Sequence, residues 1–236
     1  VRVPASERSA GPRPAAVVVV IPAHNEQDRL GDCLDSVLRA AARIETPVRV
    51  VVALDSCTDG TALTIPAGVS AVRIEAGNVG AARRAGFDSA AAQGISPARL
   101  WYATTDADSR VPPDWLRCQL RDAAVFDVAV GTVEVAWSQR PATIRTDYEK
   151  RYRRAMSTPH LHVHGANLGV WGHWYRAVDG FAALPADEDV DLVTRLGRAG
   201  ARVGWIADNP VLTSDRRDNR VRGGFAGYLD DIERAG

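Results

Sequence analysis

The sequence has 236 residues, of which 46% are hydrophobic and 25% charged, with lysine plus arginine equal to aspartate plus glutamate at 29 each. That length buries one large core or two tight half-domains, and the even charge argues against nucleic acid or an anionic membrane as the main partner. Cys33, Cys57 and Cys118 are scattered and lack C-x-x-C spacing, so they suggest neither a disulfide framework nor a zinc site, and the simplest compartment is the reducing cytoplasm.

Residues 1–14 hold three prolines among small polar residues and have no continuous apolar segment, which reads as a disordered leader. No stretch approaches the roughly 18 apolar residues of a membrane span. Val17 to Ile21 is a β-branched run ended by Pro22, as expected of a strand covered on both faces of a parallel sheet. Leu30, Leu34, Val37, Leu38 and Ala41 then fall at helical spacing, with Asn25 or Asp28 as the expected cap. Val48 to Leu54 predicts a second strand, a short helix runs from Thr61 to Pro66, and Val69 to Ile74 predicts a third strand. Asn78 opens an alanine-rich helix to about Ala92, Leu100 to Thr104 predicts a fourth strand, and Pro112-Pro113-Asp114 starts another helix. Such alternation argues for a parallel sheet with helices on both faces.

Past residue 125 the pattern changes. Asp127 to Trp137 reads as a longer strand, Thr143 to Ser157 as a polar helix, His160 to Val170 as a strand, Asp187 to Ala199 as a helix, and Arg202 to Ala207 as the last strand. The expected organisation is one domain over 15–215, with a nucleotide-binding half (15–125) and an acceptor half (126–215). A basic segment, 216–236, follows as a lid over bound nucleotide, a docking site for an anionic acceptor, or a solvated tail.

In an open α/β sheet, ligands bind beyond the carboxyl ends of the strands. Three polar clusters occupy such positions: His24-Asn25-Glu26, Asp55 with Asp59, and Asp106 with Asp108. Each alone is compatible with a helix cap or turn. Asp106-Ala107-Asp108 carries the most chemistry, because two carboxylates one residue apart can converge on a hard cation, and magnesium or manganese typically keeps waters and takes one or two carboxylates plus substrate phosphates. His160, His162 and His164 alternate, so on a strand they share a face. They read as a polar face beside the cleft, as a histidine (His164) next to a diphosphate or the metal, or as a His-x-His zinc hydrolase site whose further ligands stand in no recognisable place. Trp171, Trp174 and Tyr175 are either core or a flat surface for an acceptor.

The segments VVVVIPAHNEQDRLGDCLDSVL, VVALDSCTDGT, NVGAARRAGFDSA, TTDADSRVPPDWL, HGANLGV and DGFAALPADEDVDLVTRLGRAGARVGWI together resemble the family 2 glycosyltransferases of GT-A fold, in family order over about residues 17 to 215. The resemblance implies an α/β GT-A fold with a mostly parallel central sheet flanked by helices. It also implies a metal-dependent, hexosyltransferase-like reaction with a nucleotide-diphosphate sugar as donor, a divalent cation (Mn2+ or Mg2+), and a hydroxyl of an unknown acceptor as nucleophile. Carried over by position, Pro22, Ala23, Asn25 and Glu26 match the loop against base and ribose, and Asp55 matches an acid that bonds the base. Asn78 belongs to the Asn-x-Gly segment bordering the nucleotide. Arg83 or Arg84 then lies near phosphate, Arg84 being the one chosen as a nucleotide contact. Asp106 and Asp108 match the metal and diphosphate motif, with Asp108 the more direct ligand. Gly165, Ala166 and Asn167 match the loop lining donor sugar and acceptor, and Glu188-Asp189 the pair containing the general base, assigned to Asp189.

Leu54 stands where the family often has the first of two adjacent aspartates, so one base or ribose contact is made differently. The Gln-x-x-Arg-Trp motif and the membrane helices of processive synthases are absent, which favours addition of a single sugar; attack of the acceptor hydroxyl on the anomeric carbon from the face opposite the leaving diphosphate, with a carboxylate as base, would give inversion. A retaining GT-A enzyme would use the same Asp-x-Asp without Asp189 as base. A sugar nucleotidyltransferase would carry a Gly-rich loop with a basic residue where Pro22 to Glu26 stands. A non-enzymatic binding module would tolerate loss of Asp108.

Overall fold

The computed structural model of the protein describes residues 13–91, 95–155, 162–217 and 225–235. Twelve residues of the expected leader, His160, Arg220, Arg222 and Gly223-Gly224 lie outside them. The β-branched run forms strand β1, Ala16–Ala23. Val17, Val19 and Ile21 face one side of it and Val18 and Val20 the other, and all five are at most 1% exposed. Such two-sided cover requires helices on both faces of the sheet. On one face, helices α1 (Leu30–Ala41) and α3 (Trp115–Ala123) supply Leu30, Leu34, Val37, Trp115 and Leu116. On the other, α2 (Val79–Ala91) and α6 (Glu188–Arg198) supply Phe87, Ala90, Leu192, Val193 and Leu196. Phe87 stacks on Tyr102 with ring centroids 4.6 Å apart.

The remaining strands are β2 (Val48–Asp55), β3 (Ser70–Ile74), β4 (Leu100–Thr104), β5 (Ser109–Arg110), β6 (Val128–Ala136), β7 (Leu168–Trp171) and β8 (Val203–Ser214). Helices α4 (Ala142–Ala155), α5 (Gly172–Ala177) and α7 (Phe225–Ala235) complete the set. One eight-stranded sheet runs in the order β3-β2-β1-β4-β7-β6-β8-β5. The first four strands are parallel, β7 is antiparallel to both neighbours, β6 and β8 are parallel, and β5 is antiparallel to β8. The ends of β1, β2 and β4 therefore open on one edge, where the acidic clusters lie. No helix among the described residues is long and apolar enough to cross a membrane.

Several expectations are corrected. The strand foreseen over His160–Val170 is, among the described residues, only Leu168–Trp171, preceded by a 3-10 turn at Gly165–Asn167, so His162 and His164 do not lie on a strand. The cap foreseen at Asn25 or Asp28 is absent: α1 starts at Leu30, its N-cap Arg29 makes no side-chain cap, and the amides of Arg29 and Leu30 bond the carbonyl of Glu26. The last strand continues beyond Ala207 to Ser214, because a register shift against β6 between Gly131 and Val133 takes up residues 207–210, Pro210 among them, as an irregularity. Trp171 and Tyr175 are core, each 3% exposed, and do not form an acceptor platform.

The described part of the C-terminal segment is no solvated tail. Helix α7 packs on α4, burying Leu229 and Ile232 against Val135, Ile144 and Tyr148. The guanidinium of Arg140, whose side chain is 0% exposed, reaches Asp230 at 2.7 Å and Glu233 at 3.1 Å. If α7 is integral to the fold, Leu229→Ala should lower unfolding free energy by about 2–4 kcal/mol, as for other large-to-small core changes, in urea titrations. A loss under about 0.5 kcal/mol, typical of surface sites, would mean that α7 is not part of the cooperative unit.

Candidate active site

The loops after β1 and β2 are laced together by their polar side chains. Asn25, held at φ 55°, accepts the amide of Thr58 at 2.8 Å. The Glu26 amide donates to Thr61 Oγ1 at 2.7 Å, the Gly60 amide to Gln27 Oε1 at 2.9 Å, and His24 Nδ1 pairs with the carbonyl of Asp55 at 2.7 Å. Left-handed backbone is tolerated by asparagine better than by most residues, which explains the residue type at 25.

Asp55, at the end of β2, accepts the amides of Ala76, Gly77 and Asn78 at 2.7–2.9 Å and the hydroxyl of Ser56 at 2.9 Å. Burial acts to raise its pKa, but those amides outweigh it and hold the carboxyl below its usual value. Its acceptor capacity, about four lone-pair positions, is already engaged by the turn that launches α2. Asn78 caps that helix, accepting the amide of Ala81 at 2.8 Å, and donates to the carbonyl of Leu184 at 2.7 Å. Both side chains act here as scaffold for the turn.

The centre of the site is Arg83. It lies on the buried stripe of α2 with Phe87 and Ala90, at i, i+4 and i+7. Its guanidinium, 3% exposed, binds Asp106 Oδ1 at 2.7 Å through Nη2 and Glu188 Oε1 through Nη1, over the ring of Phe181. Asp106, just past β4, is thereby tied to the first turn of α6. Burial would lower the Arg83 pKa, but Asp106, Glu188 and Asp189 raise it, so it stays a cation. Burial pushes the Asp106 pKa up, as do Asp108 and Glu188, while Arg83 pulls it down; its side chain keeps 37% exposure on the cleft side. A Cβ at Gly165 would enter the Arg83 guanidinium, so glycine is required there.

Asp189 stands next to Glu188 at the start of α6. Its carboxylate accepts the amide of Gly165 at 2.6 Å and that of Val190 at 2.8 Å. Burial, reinforced by the charge of Glu188, pushes its pKa up to about 6 against the pull of Arg83 and the two amides. A carboxylate so placed is a base at neutral pH and accepts a proton more readily than an ordinary aspartate.

Asp108, 10% exposed, accepts the hydroxyl of Ser214 at 2.8 Å and pairs with Arg216 at 3.2 Å; Arg216 also reaches Glu26 at 2.5 Å. The structure thus joins Glu26, Asp106, Asp108, Gly165, Glu188 and Asp189 around two arginines. Oxygen donors of this hardness suit Mg2+ or Mn2+. Asp106 Oδ2 lies outside the Arg83 pair, and Asp108 Oδ1 outside the Arg216 pair. Among the described residues no three His, Cys, Asp or Glu side chains gather as a metal cage.

Other expected contacts are corrected. Arg84, one residue and about 100° around the helix from Arg83, turns outward to Asp179 at 2.7 Å. Asn167 is 2% exposed; its Oδ1 accepts Trp115 Nε1 at 2.9 Å and its Nδ2 donates to the carbonyls of Thr132 and Asn209, both at 2.9 Å. It therefore anchors the turn from within. Ala166 is 5% exposed, and Pro22 and Ala23 end β1 as buried residues. His164 has its ring 5.9 Å from that of His162, which stacks on Tyr152 at 4.6 Å; it belongs to an aromatic cluster, and among the described residues it is in no group of three His, Cys, Asp or Glu side chains that could hold a metal. Arg216, held only as part of a basic tail, was the residue for which local sequence offered no signal.

The profile of the family "Glycosyl transferase family 2" matches residues 18–170. No curated protein matches the chain. Among solved structures, Staphylococcus aureus TarS 1–349 in complex with UDP-GlcNAc is similar with a TM-score of 0.64 and 15% identity over 93% of this chain and 65% of that one. The mannosyltransferase PcManGT from Pyrobaculum calidifontis, in complex with GDP-Man and Mn2+, is similar with a TM-score of 0.63 and 19% identity over 91% of this chain and 61% of that one. Glucosyl-3-phosphoglycerate synthase from Mycobacterium tuberculosis, in complex with Mn2+, UDP and phosphoglyceric acid, gives a TM-score of 0.59 and 15% identity over 86% and 72%. The chain thus spans less than two thirds of the length of the first two, and the likeness is one of fold.

Arg83→Met should cost about 3 kcal/mol of unfolding free energy, the low end for breaking a buried ion pair, because water partly screens Asp106. The loss should be larger at pH 8 than at pH 5: without the guanidinium, which pulls its pKa down, Asp106 protonates more readily in the folded state, and this offsets the deficit as pH falls. Urea unfolding at the two pH values measures this, and a deficit that does not vary with pH would refute the charge network.

Proposed function

The chain belongs to glycosyl transferase family 2, and we propose that it moves one sugar from a nucleotide-diphosphate donor to an acceptor hydroxyl with inversion at the anomeric carbon. The observation that carries this reading is the joining of two functional groups at one cleft by Arg83: Asp106, beside Asp108 past β4, and Glu188, beside Asp189 on α6. The UDP, UDP-GlcNAc and GDP-Man in the structures of similar fold support the donor class.

In this reading Asp106 and Asp108 hold a divalent cation, which when bound would draw charge from the departing diphosphate. The β1 loop and the Asp55 turn form the floor against which the nucleotide rests. Asp189 takes the proton of the attacking hydroxyl from a position within about 3 Å. The amides of Gly165 and Val190 orient that carboxylate, leaving its basicity set by burial and Glu188. Arg83 neutralises Glu188, so the pair presents one available base. A reducing cytoplasmic setting, suggested by the three free thiols, belongs to the same proposal.

Two measurements test it. A nucleotide sugar (UDP-, GDP- or dTDP-linked) with Mn2+ should raise the melting temperature; at a hundred times its Kd the stabilisation is about 2.7 kcal/mol, and no shift with any nucleotide would overturn the donor assignment. Transfer rates should climb with pH through about 6 as Asp189 deprotonates. Asp189→Asn should lower kcat by about 100-fold or more while nucleotide binding persists, and product NMR should show inverted stereochemistry. An Asp189→Asn enzyme with near-normal kcat would remove the residue from its role.

A further inference from the structure

Arg216 follows β8, and its backbone is fixed on both sides. The preceding Asp215, 0% exposed, accepts the amides of Ser138, Gln139 and Arg140 at 2.8–3.0 Å, and the Arg216 carbonyl accepts Arg140 Nη2 at 3.1 Å. Burial acts to raise the Asp215 pKa, but those amides and the Ser138 hydroxyl hold it below its usual value, so the clamp is an ionised carboxylate. The Arg216 side chain crosses to the opposite side of the cleft, where its guanidinium pairs with Glu26 at 2.5 Å and with Asp108 at 3.2 Å, at 18% exposure. Glu26 and Asp108 sit on loops after different strands, β1 and β4, and Arg216 is 190 residues from Glu26 in sequence.

A guanidinium and a divalent cation cannot both bind Asp108 closely without strong like-charge repulsion in a partly desolvated cleft. We propose that Arg216 is a resident monocation that competes with the divalent cation for Asp108 and thereby sets the cation affinity of the site. This rests on the reading of Asp106 and Asp108 as the cation carboxylates. In the cation-free state Arg216 neutralises Asp108 and links the β1 loop to the β4 loop. Cation entry displaces the guanidinium from Asp108, while Glu26 remains to hold it nearby. The competition is local to the side chain because the Asp215 clamp does not depend on it.

The test is titration of the purified chain with Mn2+, following the free-ion signal by electron paramagnetic resonance. Arg216→Ala should bind Mn2+ about tenfold or more tightly than the wild type, the size expected from removing a charge-assisted hydrogen bond from the competing partner. Arg216→Lys, which keeps the charge, should stay within about threefold of the wild type. Asp108→Asn placed in the Arg216→Ala background should abolish the gain. Arg216→Gln, which keeps the stem and a donor, serves if circular dichroism shows that the alanine variant is unfolded, and it too should bind more tightly. Equal affinities in wild type and neutral variants, a gain that survives Asp108→Asn, or absence of Mn2+ binding throughout would each overturn the proposal. Calorimetry with UDP and GDP in buffer containing Mn2+ separates the two readings: no nucleotide binding by the wild type counts against the transferase, whereas a difference in Mn2+ affinity measured without nucleotide stands on its own.

Discussion

A single buried guanidinium, that of Arg83, is the constraint on which the site depends. Removing an arginine from water is costly unless carboxylates of good geometry surround it, and here Asp106 and Glu188 do so from two parts of the chain that share no local connection. The ion triad ties the end of β4 to the start of α6 and brings Asp189 to the cleft. It also explains why residue 165 has no side chain, since the guanidinium takes the space. The same low-dielectric setting that raises the Asp189 pKa is the one that requires Arg83 to be paired.

Around that centre, many polar side chains hold the loops in place. Asn25, Asp55, Asn78 and Asn167 all spend their hydrogen-bonding capacity on backbone or buried side-chain groups. Their effect is to fix loops that would otherwise fray at the strand ends. Glu26, Asp106 and Asp108 differ, because their partners are the guanidinium groups of Arg216 and Arg83, while Asp189 is a charged group held by two amides. A scaffold of satisfied amides holding a small set of strongly charged groups is the arrangement that electrostatic stabilisation of a departing anion requires.

The C-terminal part closes the structure from the other side. Asp215 and Arg140 lock residues 138–140 to the end of β8, and α7 rests on α4. Among the described residues, arginines that read in sequence as a basic tail are paired with carboxylates, Arg216 with Glu26 and Asp108, Arg217 with Glu233 and Arg234 with Asp231, while Arg140 reaches Asp230 and Glu233 of α7 from outside that segment.

The amino-acid sequence by itself determined the βα order of the first half, because a β-branched run such as Val17–Ile21 and a helical stripe such as Leu30–Leu34–Val37 are local patterns with characteristic periods. It also located Asp106, Asp108, Glu188 and Asp189 at element ends, where loop chemistry is expected. Tertiary structure alone decided between Arg83 and Arg84, since one step around α2 turns a side chain from the core to solvent and the facing strand defines which is which. It alone made Asn167 a buried anchor, carried β8 past residues 207–210 through a register shift, and set Arg216 against Asp108. Each of these rests on a partner distant along the chain, and the energy of a buried polar group is set by that partner and not by its neighbours in sequence.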